Sequence, residues 1–373
     1  MHSSAQHVLL TISLLTCLGA TLYLLFPRGG PEVYRRKRMR RALSMLLGAL
    51  YGLGFRLMLM VPHLAPVSAR LLPEPVSLAF LVMMPFAVGA IAVYFGEEDE
   101  RLSVSYQFAA PALDIVVFLS LTALSFLEGT ICIVMAMPIF LVMAIVGGLL
   151  MGLVLRLSSR GGTVVRCAVM LPLLAAPLEN ALGNRDEVHQ MQLRTVIHAS
   201  PAVIWGDIKN ARDIRPDELG TSWVYSIGVP RPEEGLTRQT PEGEVRWSRW
   251  SQGVRFKEKI LAQIPDRSIL WDFHFDDSSI PPGVLDEHVR IGGRYFDLVD
   301  TRYDIQPLDG GNSELTLTAH YRVSTAFNGY AALWAGWMLR DAGATVLHFY
   351  KHRSEADEAR SQAQGRMELL RAG

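Results

Sequence analysis

The chain has 373 residues, of which half are hydrophobic, and it carries equal numbers of acidic and basic residues, 36 of each. This length predicts about two domains, and the zero formal charge gives no support for a nucleic-acid-binding surface. The three cysteines all lie in apolar segments (Cys17, Cys132 and Cys167), so the rest of the chain offers neither a disulfide framework nor thiolate metal ligands.

Long apolar runs dominate the first half of the chain. A helix needs about 20 mostly apolar residues to cross a membrane. Runs near that length predict spans at residues 9–26, 43–64, 76–95, 109–126, 131–155 and 163–178. The last run is short and contains Arg166, Pro172 and Pro177, so five spans are the alternative to six.

The basic residues around the first run indicate how the chain is oriented. No Lys or Arg precedes residues 9–26, whereas six follow at residues 35–41. This order argues against a cleaved signal peptide and for a retained anchor whose N-terminus lies outside. Six spans then place the second half outside the cytoplasm, and five place it inside. We expect six.

Two charged residues lie within predicted spans, Arg56 and Asp114. They would make a buried ion pair only if they lay at similar depths. At 1.5 Å per residue, Arg56 lies about 20 Å and Asp114 about 8 Å from the cytoplasmic ends of their helices. We therefore expect the two side chains to reach opposite interfaces. Gly147, Gly148 and Gly152 are typical of closely packed helices.

The second half has the composition of a water-soluble α+β domain. Period-2 alternation predicts strands at 191–199, 254–263, 269–276, 295–307 and 314–323, with a helix after Ser200-Pro201 and another at 214–219. Because each strand has one polar face, we expect an antiparallel sheet. A long amphipathic helix runs from Gly329 into the 360s. The predicted fold is an all-α transmembrane bundle followed by a curved antiparallel sheet around that helix.

The second half resembles the SRPBCC superfamily of START-like, polyketide cyclase/dehydrase and lipid-transport proteins. The likeness is carried by the first strand and helix at 197–205, the strand at 253–260 and the Trp-rich last helix. It covers about residues 188–355 and implies the helix-grip fold, usually with an internal cavity. The implied organisation is a membrane domain at 1–182, a helix-grip domain at 188–355 and a polar helical tail at 356–373. The membrane half is similar to multi-span regions of uncharacterised bacterial members, which implies a bacterial inner membrane.

Apolar side chains on the inner face of the expected sheet and on the last helix are candidates for lining a cavity. They are Phe256, Trp271, Phe273, Phe275, Tyr303, Tyr321, Trp334 and Trp337. The alternative is that these rings fill an ordinary core.

Glu258 lies in register with the inward-facing residues Phe256 and Ile260. A buried carboxylate needs a partner, so Glu258 is either a polar anchor or general acid inside the cavity, or part of a salt bridge at the sheet rim with an arginine from a neighbouring strand.

Other polar groups point to no further chemistry. The charged segment 286–297 is either a lid or a solvated loop. His274, His288 and His320 lack metal-ligand spacing, so we expect neither a metal nor a cofactor. Nucleophile-elbow, P-loop and dinucleotide-binding motifs are absent from the sequence.

These observations favour membrane-tethered binding of a hydrophobic small molecule or lipid. One alternative is an enzyme acting on an apolar substrate, with Glu258 as acid or base assisted by Tyr303 or Tyr321. The other is a non-catalytic interaction module anchored in the membrane. The sequence does not define the oligomeric state, and we expect no nucleic-acid partner.

Overall fold

A computed structural model of the protein describes residues 32–59, 76–98, 101–158, 160–241 and 243–372. The predicted span at 9–26 and the end of the span at 43–64 lie outside these residues. The chain divides into two compact units. The first, the helical unit, comprises Met1–Arg185 and Thr325–Phe327, and the second, the sheet unit, comprises Asp186–Ser324 and Asn328–Gly373.

The helical unit contains a series of apolar helices. They are α1 (Glu32–Met58), a π-helical turn (Ala79–Met83) that continues into α2 (Met84–Tyr94), α3 (Val104–Leu124), α4 (Thr130–Leu157) and α5 (Gly161–Leu182). By length and composition, α3 and α4 could each cross a membrane, and Ala79–Tyr94 and Gly161–Pro177 are shorter apolar helices. A helix in a soluble core can meet the same criteria, so these features alone are weak evidence for a membrane.

Glycines allow the helices α2 and α4 to cross at very short range. A Cβ atom placed on Gly89 would lie 1.8 Å from the carbonyl oxygen of Ala144, and one on Gly147 would lie 2.0 Å from that of Phe86. Gly152 gives similar room to the Gln107 side chain on α3. A Cβ on Gly148 would likewise clash with Pro111, so the predicted role of Gly147, Gly148 and Gly152 in close helix packing is confirmed.

Arg56 and Asp114 do not pair with each other. Arg56 forms an ion pair with Glu128 and donates a 2.8 Å hydrogen bond to the carbonyl oxygen of Leu127, in the connection between α3 and α4. The expectation that Asp114 reaches an interface is wrong, because its side chain is completely buried. Gly48 on α1 has no side chain and makes room for the Asp114 carboxylate, whose Oδ2 lies 2.2 Å from the Cβ position of Gly48.

The sheet unit begins and ends with long elements. In chain order it contains β1 (Arg185–Ile197), α6 (Pro201–Lys209), β2 (Asn210–Ala211), α7 (Trp223–Ser226), β3 (Pro232–Thr240), β4 (Gly243–Trp250), β5 (Arg255–Ile264), β6 (Ser268–His274), β7 (Phe296–Pro307), β8 (Ser313–Thr325) and α8 (Asn328–Ala372). The eight strands form one sheet in the order β1-β8-β7-β6-β5-β4-β3-β2. Each pair from β2–β3 to β7–β8 is antiparallel.

One face of this sheet packs against α8. Side chains of β6, β7 and β8 form a buried cluster together with Leu347, Phe349 and Tyr350 of the helix. An antiparallel sheet packed against a long C-terminal helix is the architecture that the SRPBCC resemblance implies.

One local prediction in the sheet unit is wrong, and two strands were not predicted. The segment 214–219 is a turn and not a helix, because Gly220 takes a positive φ of 70° and redirects the chain before a second helical turn can form. The strands β3 and β4 were also missed. Their inward positions include Gly235, Arg246 and Ser248, so they lack the apolar alternation by which strands are recognised.

Candidate functional site

The strands β4 and β5 bring an arginine and a glutamate together inside the sheet unit. Arg246 and Glu258 are directly opposite in the antiparallel register, and their exposed fractions are 7% and 4%. Nη1 of Arg246 donates to Oε2 of Glu258 and, at 3.0 Å, to the hydroxyl of Ser248. The partner of Glu258 is therefore an arginine from the neighbouring strand, but the pair is buried and not at the sheet rim.

A glycine on β3 makes room for the guanidinium group. A Cβ atom on Gly235 would lie 2.0 Å from Nη2 of Arg246. Any larger residue at position 235 would displace the arginine from its place beside Glu258. The site therefore depends on three adjacent strands.

Three aromatic residues complete what we call the inner polar cluster, which consists of Arg246, Glu258, Trp271, Tyr303 and Tyr350. The Arg246 guanidinium carbon lies 5.2 Å from the centroid of the Trp271 ring, a cation–π geometry. The Trp271 and Tyr303 rings are 5.3 Å apart, and Tyr303 meets Tyr350 edge to face at 5.6 Å. The cluster thus connects the four strands β4, β5, β6 and β7 with the long helix α8.

The hydrogen-bonding character of the cluster is set by its burial. Burial raises the pKa of Tyr303 and of Tyr350, so both phenols keep their protons at neutral pH. Burial lowers the pKa of Arg246, but the nearby Glu258 carboxylate outweighs this effect and the pKa lies above its ordinary value. Arg246 and the two tyrosines are therefore all present as hydrogen-bond donors.

Two of the N–H groups in this cluster face no acceptor among the residues that the structure describes. These are Nε of Arg246 and Nε1 of Trp271, both buried. A buried donor without an acceptor costs about 1–3 kcal/mol, and buried polar groups in proteins are nearly always satisfied. Nε of Arg246 and Nε1 of Trp271 are therefore the donors of this cluster that no described residue engages.

The predicted lining residues fall into three groups. Glu258, Trp271, Tyr303 and Tyr321 are buried on the inner face of the sheet. The rings of Phe256, Phe273 and Phe275 lie within 6.3 Å of each other and pack near Ile280 in a smaller, adjacent apolar cluster. Trp334 and Trp337 lie on the first turns of α8.

Trp337 does not face the interior, because 52% of its side chain is exposed. Near Trp337, the inner face of α8 is made by small residues, whereas further along the helix Phe349 and Tyr350 face the sheet. A Cβ on Gly336 would lie 3.1 Å from the Tyr321 hydroxyl, and one on Gly343 would lie 3.0 Å from Leu193. The first turns of the helix therefore approach the sheet closely, and the Trp337 ring points away from it.

The chain around α7 lines a pocket of about 230 Å³. It is lined by Pro216, Leu219, Gly220, Thr221, Ser222, Tyr225, Ser226 and Arg231. Leu219 and Tyr225 also belong to the buried cluster between the sheet and α8, and the Tyr225 hydroxyl hydrogen-bonds Thr345 of α8 at 2.9 Å. The pocket thus reaches the edge of the interior.

The charged segment 286–297 is irregular apart from a short 3-10 turn at Glu287–Val289 and its last two residues, which begin β7. Arg322 of β8 donates hydrogen bonds to the carbonyl oxygens of Gly293 and Arg294, at 2.7 and 3.0 Å. This segment is therefore fastened to the sheet near the end of β8.

Asp207 on α6 gives the sheet unit a defined pH dependence. It accepts a 2.7 Å hydrogen bond from Ser354 of α8, and burial, with a smaller contribution from the Asp357 carboxylate, raises the pKa of Asp207 from 3.8 to about 6. The folded protein therefore holds this proton more tightly than the unfolded chain. Stability should fall as the pH rises from 3.8 to about 6, and no further above it.

Asp207→Asn should flatten this part of the pH profile, measured as the midpoint of thermal unfolding against pH. Asp217→Asn, at an exposed position, should keep the wild-type slope. Equal slopes in the wild-type and Asp207→Asn proteins would exclude Asp207 as the source.

Comparison with known proteins adds a likeness in fold. No protein-family model matches the chain, and no curated protein matches it in sequence. The sheet unit is similar to solved structures that include the Zhui aromatase/cyclase from a Streptomyces species (13% identity, 45% of this chain and 94% of that one, TM-score 0.30). Norcoclaurine synthase from Thalictrum flavum (12%, 47% and 98%, TM-score 0.27) and Aha1 from Colwellia psychrerythraea (14%, 45% and 96%, TM-score 0.23) are also similar. At such identities and TM-scores the likeness carries no inference about activity.

Proposed function

We propose that this protein binds a hydrophobic small molecule or lipid between the sheet and α8, beside a membrane that its helical unit spans. The observation that carries the proposal is the pair of buried donors, Nε of Arg246 and Nε1 of Trp271, that have no acceptor among the described residues. Apolar walls with a few placed polar groups are the usual composition of a small-molecule site. The phenylalanine, tyrosine and aliphatic side chains around the inner polar cluster supply such walls.

The chemistry of the cluster narrows the ligand class. The two N–H groups without an acceptor are both hydrogen-bond donors, and the Glu258 carboxylate already accepts a hydrogen bond from Arg246. The ligand should therefore have a largely apolar body and an oxygen acceptor, such as a carboxylate or a carbonyl group. Of the predicted aromatic residues, Trp271 and Tyr303 are those in direct ring contact within this cluster.

The membrane part of the proposal is supported by the surface of α4. In the most apolar stretch of 18 residues in α4, only 28% of the residues are buried inside the protein. A helix in a soluble core would be mostly buried, whereas a helix in a bilayer exposes apolar side chains to lipid. A tether to the membrane raises the local concentration of a poorly soluble ligand near the site. We propose that the membrane is a bacterial inner membrane and that the sheet unit lies on its extracytoplasmic side. A reporter that is active only outside the cytoplasm, fused to the C-terminus, would test this sidedness.

A second candidate function is a non-catalytic interaction module. The observation in its favour is the continuous packing of Tyr303, Leu317, Phe349 and Tyr350 between the sheet and α8. Under this alternative the interior is a structural core and admits no ligand. The two functions differ in whether substitutions inside the core change the binding of an apolar probe.

Trp271→Phe keeps an aromatic ring but removes the Nε1 donor. We expect it to weaken the binding of a dansyl-labelled fatty acid about tenfold, the effect of losing one buried hydrogen bond. The measurement is a fluorescence titration of the full chain in lipid nanodiscs. Trp247→Phe, on the outer face of β4, is the matched control and should bind like the wild type. Equal affinities in all three proteins would contradict the proposed site.

A further inference from the structure

The first turns of α8 and the first residue of α7 present a set of large apolar side chains to the outside. We call this surface the aromatic face, and it consists of Trp223, Tyr330, Leu333, Trp334 and Trp337. The exposed fraction is 38% for Trp223, 46% for Leu333 and 52% for Trp337. Tyr330 and Trp334 are partly buried. The four residues on α8 recur at spacings of three and four, which places them on one side of the helix.

The rings form a continuous surface. The Trp334 centroid lies 5.6 Å from that of Trp337, 6.5 Å from that of Tyr330 and 6.4 Å from that of Trp223 on α7. Single exposed hydrophobic residues are common in soluble proteins, but contiguous apolar patches usually mark an interaction site. The inner contact at this end of the helix is made instead by the small residues Ala335 and Gly336.

A cation continues the aromatic face. Arg340 lies three residues after Trp337, on the same side of α8, and is exposed. It has no acidic partner among the residues that the structure describes. The neighbouring Asp341 carboxylate is turned towards α7, where it accepts hydrogen bonds from the Ser222 hydroxyl and the Val224 amide. The surface therefore combines rings with an arginine free to bind an anionic group.

We propose that the aromatic face binds the lipid–water interface of a phospholipid bilayer, with the tryptophan rings among the headgroups and Arg340 against lipid phosphate. Trp and Tyr are enriched at membrane interfaces because each has an apolar ring and a polar tip. Arginine side chains lie along such a surface with the charge directed to the headgroups. A protein partner would bury the rings equally well, but the adjacent cation and the apolar helices of the same chain favour lipid. This docking surface is separate from the proposed interior ligand site.

The test uses tryptophan fluorescence of the full chain reconstituted in vesicles of phosphatidylcholine and phosphatidylglycerol. All seven tryptophans lie between positions 205 and 337. Lipids with bromine on the acyl chains near the headgroup quench only tryptophans that contact the bilayer. We expect brominated vesicles to quench part of the emission, and the double variant Trp334→Phe/Trp337→Phe to lose most of the quenchable fraction.

Matched variants decide the interpretation. Trp247→Phe removes a tryptophan that is 43% exposed on a different surface and should leave the quenchable fraction unchanged. Arg340→Gln should lower quenching in vesicles with phosphatidylglycerol. Quenching that persists in the Trp334→Phe/Trp337→Phe variant, or that is absent from the wild type, would overturn the proposal. Quenching that falls as the protein-to-lipid ratio rises would instead assign the face to a second copy. Because the readout needs no interior ligand, either proposal can fail without the other.

Discussion

Replacing Arg246 by alanine should lower the free energy of unfolding of the sheet unit by about 3–5 kcal/mol, because it leaves the Glu258 carboxylate buried without its partner. Both side chains are almost inaccessible to solvent, so water cannot replace the lost contact. The expected result is a large fall in the thermal unfolding midpoint of the full chain in detergent, followed by circular dichroism at a wavelength that reports strands.

Two further variants distinguish the loss of the buried ion pair from the general effect of removing an arginine. Arg302→Ala removes the exposed ion pair with Asp304 and should cost about 0–1 kcal/mol. The double variant Arg246→Met/Glu258→Leu replaces both charges with apolar groups and should recover most of the stability lost in Arg246→Ala. If Arg246→Ala and Arg302→Ala have equal effects, the pair is not buried as described.

Gly147→Leu should destabilise the helical unit by about 3 kcal/mol, an overpacking effect at the top of the usual range. The new side chain would begin 2.0 Å from the carbonyl oxygen of Phe86, which belongs to the backbone of α2 and cannot rotate away. The helices α2 and α4 would have to separate along their crossing.

The matched control makes the same substitution where there is room. Gly54→Leu lies on the exposed side of α1, where apart from the helix's own backbone no atom lies within 4 Å of the Cβ position. We expect the purified Gly54→Leu protein to keep the wild-type melting temperature and elution profile in detergent, whereas Gly147→Leu loses both. Similar behaviour of the two variants would show that the α2–α4 crossing is looser than described.

The fold was predictable wherever one physical signal dominated. Inward positions of β5 and β8, such as Phe256, Glu258 and Leu317, alternate with polar ones and gave the correct strands and faces. The inward positions of β3 and β4 are occupied by glycine or by polar residues, so the hydrophobic pattern of these two strands is weak. These two strands form because they pair with each other and with β2 and β5, and a local sequence pattern carries no information about such pairing.

The candidate site was only half predictable for the same reason. The register of Glu258 with apolar neighbours showed that it is buried, but its partner lies 12 residues earlier, in a strand that was not recognised. Once β4 is known, the alternation of Arg246 and Ser248 with exposed Trp247 and Arg249 identifies the arginine as inward-facing. Three-dimensional contacts alone show that Nε of Arg246 and Nε1 of Trp271 have no acceptor among the described residues.

The direction of the Trp-rich helix was the least predictable feature. Rings at helical spacing normally mark the buried side, and on α8 this holds for Phe349 and Tyr350. Near Trp337 the rule is reversed, because Ala335 and Gly336 make the inner contact instead. An apolar stripe predicts that one side of a helix is shielded from water. It does not predict whether the protein interior or a surrounding lipid phase shields it.

The most direct test of the proposed interior site is mass spectrometry of solvent extracts from the purified full chain, washed free of loosely bound lipid. Binding between the sheet and α8 predicts a co-purifying apolar molecule with an oxygen acceptor, which is depleted in extracts of Trp271→Phe and retained in those of Trp247→Phe. Extracts of the wild type and of both variants with identical lipid content, together with no thermal stabilisation by fatty acids, would contradict it.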